Sequence, residues 1–203
     1  MLALIDYGSG NICSVTNALR REGADVELVS TPERLREADK VLLPGVGAFG
    51  DCVHGLQSRG LWDPLRAWLD SGKPFLGICV GYQMLFESSE ESPGVAGFGF
   101  FKGAVKRFGS SELKVPQIGW NQLQIKREDC PLFRGIKSGS YAYFVHSFFP
   151  QPMDNSIVAT ETEYGETFAS AIWRDNVYAT QFHPEKSQGV GLQILRNFVA
   201  LAT

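Results

Sequence analysis

Four short apolar runs open the chain: LALIDY from Leu2, DVELVS from Asp25, KVLLPG from Lys40 and PFLGIC from Pro74. Stretches with helical periodicity separate them, reading NICSVTNALRREG, TPERLREAD and LWDPLRAWLDSG. Strands that alternate with helices in this way pair in parallel, because the crossover helix carries the chain back to the same end of the sheet. The pattern therefore predicts βαβ units and an α/β core. Local punctuation agrees: Thr31 stands as an N-cap before Pro32, which suits a first helical position, and Gly23 and Gly72 fall where helices should stop.

Beyond about Ser89 the pattern changes. ESSEESPGVAGFGF reads as a loop, and AVKRF, YAYFVHSFF, SIVATET, FASAIWRD and VYATQFH read as strands joined by turns. The closing SQGVGLQILRNFVALA is an amphipathic helix expected to dock Leu192, Leu195, Phe198 and Val199 on the sheet. A length of 203 residues suits one domain, and no internal repeat or low-complexity tract interrupts it. The formal net charge of -3 offers no general attraction to nucleic acid or to an anionic membrane. The N-terminus lacks a basic region ahead of an apolar one, and no apolar run approaches the roughly 18 residues of a membrane span. A cytosolic protein is expected. Cys13, Cys52, Cys79 and Cys130 are scattered, without a CxxC pair, and read as reduced thiols.

One of those thiols has a distinctive setting. In PFLGICVGYQMLF, Cys79 sits between Gly77 and Gly81 where an apolar strand hands over to a helical pattern. A tight strand-to-helix turn exposes a nucleophile and aims it away from the sheet, and the helix N-terminus favours thiolate over thiol. Glycines two residues to either side remove Cβ atoms that would collide with the strand or with substrate. The competing reading is a buried structural cysteine, the commoner role for an arbitrary lone Cys.

A thiol nucleophile needs a base, and the chain has three histidines. His54, in DCVHGLQ, lies on a helix face with no acidic context beyond Asp51, and surface or capping duty fits it better. His146, inside YAYFVHSFF, reads as a satisfied core or cleft histidine. His183 follows a strand in QFHPEKS and has Glu185 two residues on; in an extended chain both side chains project to one side, so the carboxylate can orient the imidazole. The predicted set is Cys79 as nucleophile, His183 as base and then acid, and Glu185 as orienter. The order Cys, His, acid differs from that of α/β-hydrolases. A metal reading is weaker, because His-x-Glu offers two ligands and no third stands at recognisable spacing.

Acyl transfer also needs donors for an oxyanion, and the backbone N–H of Val80, directly after the nucleophile, is one. A second can come from the glycine-rich loop PGVGAFGD after the KVLLPG strand. That loop also matches GxGxxG through Gly45, Gly47 and Gly50, but it is not the first βα turn and no acid clearly ends a following strand. A plain structural turn remains the other reading of it.

Taken together, Gly77, Cys79, Gly81 and Gln83 in a G-x-C-x-G-x-Q array, with His-Pro-Glu at 183 to 185, resemble the class I glutamine amidotransferases over nearly the whole chain. Within that class PGVGAFG, PQIGWN, YFVHSF and QFHPEKS are most similar to the glutaminase subunits of imidazole glycerol phosphate synthases. The resemblance implies a flavodoxin-like α/β fold with a central, mostly parallel sheet, helices on both faces and added antiparallel strands in the second half. It implies that Cys79, His183 and Glu185 hydrolyse L-glutamine through a γ-glutamyl thioester, that Gly47 and Val80 form the oxyanion region, and that Gln83, Ser147 and Phe148 surround the substrate. Spacing supports Gln83 separately, since i+4 from Cys79 is one helical turn along the same face.

The resemblance further implies no cofactor, no metal, and a heterodimer with a (β/α)8 cyclase subunit that receives ammonia and makes imidazole glycerol phosphate and an aminoimidazole carboxamide ribotide. Asn11, Trp120, Asn121, Tyr143 and Lys186 would lie at or near that interface. Each has a plainer reading: Asn11 as a helix N-cap, Trp120 and Tyr143 as core aromatics, Lys186 as a solvated charge. Gln117 departs from the family, where histidine often precedes I-G-W-N. Two alternatives stand beside this one: the glutaminase of another pathway, which PGVGAFG and GWN oppose, and a non-catalytic partner with the same fold, which an intact Cys, His and Glu set opposes.

Overall fold

The structure, a computed structural model, describes residues 1–109 and 113–202. Its first half forms β1 (Leu2–Ile5), α1 (Ile12–Arg21), β2 (Val26–Val29), α2 (Pro32–Arg36), β3 (Lys40–Leu43), α3 (Phe49–Ser58), α4 (Trp62–Leu69), β4 (Phe75–Ile78) and the short α5 (Val80–Gln83). The four strands pair in parallel in the order β2-β1-β3-β4. Every residue of β1 and β4 is buried, as a parallel sheet covered on both faces requires. Gly23 and Gly72 take φ of 80° and 79° after α1 and α4, conformations a side chain would strain. Thr31 occupies the N-cap of α2 in extended geometry, but its hydroxyl makes no cap bond. Asn11, which precedes α1, makes none either; its side chain is engaged elsewhere.

The second half adds β5 (Ser88–Ser89), β6 (Gly103–Arg107), β7 (Gln117–Ile125), β8 (Ser140–His146), β9 (Phe148–Pro152), β10 (Val158–Tyr164), β11 (Glu166–Arg174), β12 (Val177–Thr180) and α6 (Gln188–Val199). Strand β12 inserts parallel beside β4, and β11, β10, β7 and β8 continue outward antiparallel, giving a sheet of nine strands. Strands β5, β6 and β9 form a separate sheet of three. The fold is thus α/β, with a parallel core and an antiparallel extension, as the sequence implied.

Three features differ from the sequence reading. YAYFVHSFF breaks at Ser147, so that β8 joins the large sheet and β9 pairs with β6. Phe108, Phe149 and Phe168 pack together between the two sheets, with ring centroids 4.7–5.5 Å apart, and this apolar fill rewards splitting the strand. Strand β7 was not expected, because Gly119 interrupts it at φ 137° and its large apolar residues Ile118 and Trp120 face outward, 60% and 46% exposed. Helix α6 buries Gly191, Ile194, Leu195 and Phe198, whereas Leu192 and Val199 are only half-buried. Its buried stripe is rotated from the expected one toward Ile194.

Candidate active site

Cys79 is the first residue after β4 and has φ 56° and ψ −109°, a conformation that costs a non-glycine residue of order 1–3 kcal/mol and persists only where the surroundings impose it. They do so here through backbone. Cys79 N–H donates to Thr180 O at 2.8 Å, and the N–H groups of Tyr82 and Gln83 donate to Cys79 O. A Cβ on Gly77 would stand 2.7 Å from Gly81 O, and one on Gly81 only 2.0 Å from Leu43 O. The flanking glycines are therefore required by close packing of the turn on itself and on β3, not by room for substrate. Cys79 ends up 5% exposed at the carboxyl edge of the sheet, where open α/β sheets bind ligands.

Pairing of β12 with β4, with Thr180 opposite Ile78, brings the next residues of the chain to the same edge. His183 N–H donates to Tyr143 O, after which Pro184–Lys186 close a 3₁₀ turn. His183 Nδ1 meets Glu185 Oε1 at 2.9 Å, with both side chains almost wholly buried. The contact does not arise from extended-strand alternation, because β12 stops at Thr180; the turn folds Glu185 back beneath the ring. Asn11 Nδ2 also donates to Glu185 Oε1, at 3.5 Å. Burial works to lower the His183 pKa, but the Cys79 sulfur and the Glu185 carboxylate outweigh it and hold the imidazole above its ordinary value. Its Nε2 is buried and has no hydrogen-bond partner among the described residues.

Cys79 and His183 line one cleft of about 310 Å³, together with Val46, Gly47, Val80, Gln83, Ser147 and Phe148. The volume lies at the lower end of the range for small-molecule sites, about 300–1,000 Å³. All the residues singled out in the sequence for catalysis, oxyanion binding and substrate contact therefore share this cavity, Glu185 standing behind His183. Val80 N–H donates to Gly45 O over a long 3.4 Å. Gly47 has φ 97°, and the preceding Val46 carbonyl accepts from the Ser9 hydroxyl and from Cys52 Sγ at 3.6 Å. The Gln83 amide, 3% exposed, donates to Phe148 O at 3.1 Å and to Gln181 Oε1 at 3.3 Å. His146 also lines the cleft, its Nδ1 2.8 Å from Phe148 O and its Nε2 2.9 Å from the Gln117 side chain. Burial takes its pKa down to about 4.

Two polar residues at the site, one lining the cleft and one buried behind Cys79, were not picked out from the sequence. Glu91 lies in the stretch read as an ordinary loop, yet it lines the cavity while its Oε2 accepts from Phe49 N–H at the start of α3. Gln181, fully buried, donates from Nε2 to Cys79 Sγ at 3.7 Å. Neither carries a local signal, since an acid in a polar loop and a glutamine at a strand end are ordinary. Among the described residues no group of three or more His, Cys, Asp and Glu is arranged to hold a metal ion, and no helix is long and apolar enough to cross a membrane.

Beside the cleft, β7 and β8 place Ile118 opposite Val145, Trp120 opposite Tyr143 and Gln122 opposite Tyr141. Trp120 and Tyr143 meet edge to face at 6.0 Å, and Lys186 Nζ stands 5.9 Å over the Tyr143 ring. With Ile118 and Tyr141 largely exposed, this is an apolar strip that reaches the mouth of the cavity through Ile118 and Val145. Asn121 points differently, its Nδ2 donating to Glu163 O at 2.8 Å on β10. Gln117 is buried against His146 and Asn11 lies at Glu185, so those two side chains are turned inward.

Residues 3–202 match the family described as glutamine amidotransferase class-I. The chain is 48% identical over 204 residues to the imidazole glycerol phosphate synthase subunit HisH of Syntrophotalea carbinolica, covering 98% of both. It is 47% identical over 203 residues to that of Geobacter sulfurreducens, covering 97% of both. Against that of Methanothermobacter thermautotrophicus it is 49% identical over 201 residues, covering 99% of this chain and 98% of the relative. Among solved structures, PurLQS from Thermotoga maritima superposes with a TM-score of 0.76 at 19% identity, covering 97% of this chain and 96% of that one. A crystal structure of a glutamine amidotransferase gives 0.76 at 18% identity over 98% and 99%. At such identities the structural likeness concerns the fold alone.

Proposed function

The chain belongs to the class I glutamine amidotransferases, and we infer from that membership that it is the glutaminase subunit of an imidazole glycerol phosphate synthase, acting in histidine biosynthesis. The observation that carries this reading is identity of 46–49% to several such subunits along nearly the full length of both chains. The chemistry follows from the cleft. Cys79 gives its thiol proton to His183 Nε2, which has no hydrogen-bond partner among the described residues; the sulfur attacks the side-chain carboxamide carbon of L-glutamine, and His183 passes that proton to the departing ammonia as the C–N bond breaks. The γ-glutamyl thioester on Cys79 is then hydrolysed by a water that gives its proton to His183, releasing glutamate. Glu185 holds the proton on Nδ1, so that Nε2 faces the sulfur in the form the first step needs.

The oxyanion formed in both steps sits at Val80 N–H, where it replaces the long contact to Gly45 O, with Gly47 N–H as second donor. The Glu91 carboxylate suits the α-ammonium of glutamine, and Gln83, Ser147 and Phe148 bound its side chain. Ammonia is largely protonated near neutral pH and readily lost to solvent, so it is handed directly to a cyclase subunit. The apolar strip of Ile118, Trp120, Tyr141 and Tyr143 beside the cleft supports docking of that subunit, a (β/α)8 barrel, as a cytosolic heterodimer whose bound nucleotide ligand activates the glutaminase.

The test is glutamate release from glutamine by the chain alone, with its cognate cyclase, and with cyclase plus the nucleotide substrate. A steep rise only in the last mixture is expected. Turnover that ignores the cyclase would overturn the pathway assignment.

A further inference from the structure

Gln181 has no role in the scheme above, yet its side chain donates a hydrogen bond to the Cys79 sulfur. Its orientation can be deduced rather than assumed. Phe148 O is a carbonyl oxygen and only accepts, so the end of Gln83 that meets it at 3.1 Å is the NH₂ group. The same NH₂ lies 3.3 Å from the Gln181 side chain, which must present its oxygen there. The NH₂ of Gln181 is thereby forced to the other side, toward Cys79 Sγ at 3.7 Å. A backbone carbonyl at the start of β9 thus sets the polarity of two amides in series. Gln181 is 0% exposed and its own N–H donates to Ser170 O at 2.8 Å, which anchors the backbone that carries this amide.

We propose that Gln181 belongs to the catalytic set, its Nε2–H donating to the Cys79 sulfur so as to favour thiolate over thiol and to hold it in the cleft in line with the substrate carboxamide. A donor aimed at a sulfur is worth most when the sulfur is charged, because a charge-assisted hydrogen bond is roughly twice as strong as a neutral one. Helix α5 has only one turn and contributes a correspondingly weak dipole, which leaves the neighbouring imidazole and this amide as the stabilising groups. When the thioester forms, the sulfur loses its charge and the bond weakens, so the interaction favours attacking thiolate without trapping product.

The inference rests on Cys79 being the nucleophile, and the experiment separates the two. Alkylation by iodoacetamide is followed across pH in the intact complex with the cyclase, with peptide-resolved mass spectrometry to distinguish Cys79 from Cys13, Cys52 and Cys130. The variants are Gln181→Met, which keeps the volume and removes the donor, and Gln181→Glu, which keeps the acceptor for Gln83 and replaces the donor with a carboxylate. The expected result is an upward shift of the Cys79 midpoint by about one pH unit in Gln181→Met, seen as about tenfold slower alkylation below the midpoint, and a larger shift in Gln181→Glu. Unshifted midpoints in a folded variant overturn the proposal and leave the nucleophile in place. If Cys79 in the unmodified protein alkylates no faster than exposed Cys13, the nucleophile assignment fails and the role of Gln181 fails with it.

Discussion

Gly191 lies on α6, away from the cleft, yet substituting it with alanine should damage catalysis. A Cβ built there would stand 1.8 Å from Pro184 O and 2.9 Å from Ser187 Cβ, whereas real Cβ contacts essentially never fall below 3.0 Å. The Pro184 carbonyl and the helix must therefore separate by about 1.2 Å, the difference between those distances. Pro184 is the residue between His183 and Glu185, in the turn that sets their 2.9 Å contact. A misplacement of about 1 Å in reacting groups costs on the order of 10²-fold in rate, equivalent to about 2.7 kcal/mol of barrier. The same overpacking should cost roughly 1–3 kcal/mol in folding stability. The assay is kcat for glutamate release at saturating glutamine in the ligand-loaded complex, alongside urea unfolding of the free subunit. A folded Gly191→Ala protein with unaltered kcat would refute the reasoning, because it would mean that α6 absorbs the displacement without moving the turn.

Glu185→Gln keeps the shape of the turn and removes the charge that orients His183, so turnover should fall by at least about 10²-fold with unfolding unchanged; full activity would reduce Glu185 to a structural part. The buried His146 should also make stability depend on pH. Its pKa lies at about 4 in the folded chain against an ordinary 6.5, so below pH 6.5 the unfolded chain takes up a proton that the folded one refuses. Stability is complete above that value and is lost as pH falls toward 4, by about 3 kcal/mol across the window. Urea unfolding of His146→Gln at pH 7 and pH 4.5 should lose visibly less than the unmodified protein does; equal losses would show that His146 is not the group responsible.

The parallel β1 to β4 core was legible because each βαβ unit is local: its apolar runs, its helix periodicity and its terminal glycines all lie within a few tens of residues. The Cys79 turn was legible for the same reason, since the two glycines that permit it are its near neighbours. His183 and Glu185 were found as a pair by spacing, although a 3₁₀ turn and not an extended strand brings them together. Strand β7 escaped notice because its largest apolar side chains face outward, which inverts the alternation that marks a half-buried strand.

What sequence alone determined about this protein is the class of fold, the pair of residues proposed as nucleophile and base, and the family in which that combination occurs. Only the tertiary structure decided how they meet, and it did so through one long-range choice, the insertion of β12 beside β4. That pairing joins segments about a hundred residues apart, and nothing local to either strand specifies the other. From it follow the contact of Gln181 with the Cys79 sulfur, the placing of His183 in the same cleft, and the demand that Gly191 lack a side chain where α6 crosses Pro184. Local pattern reports what a segment prefers; which segments pair is settled by burial of the whole core at once.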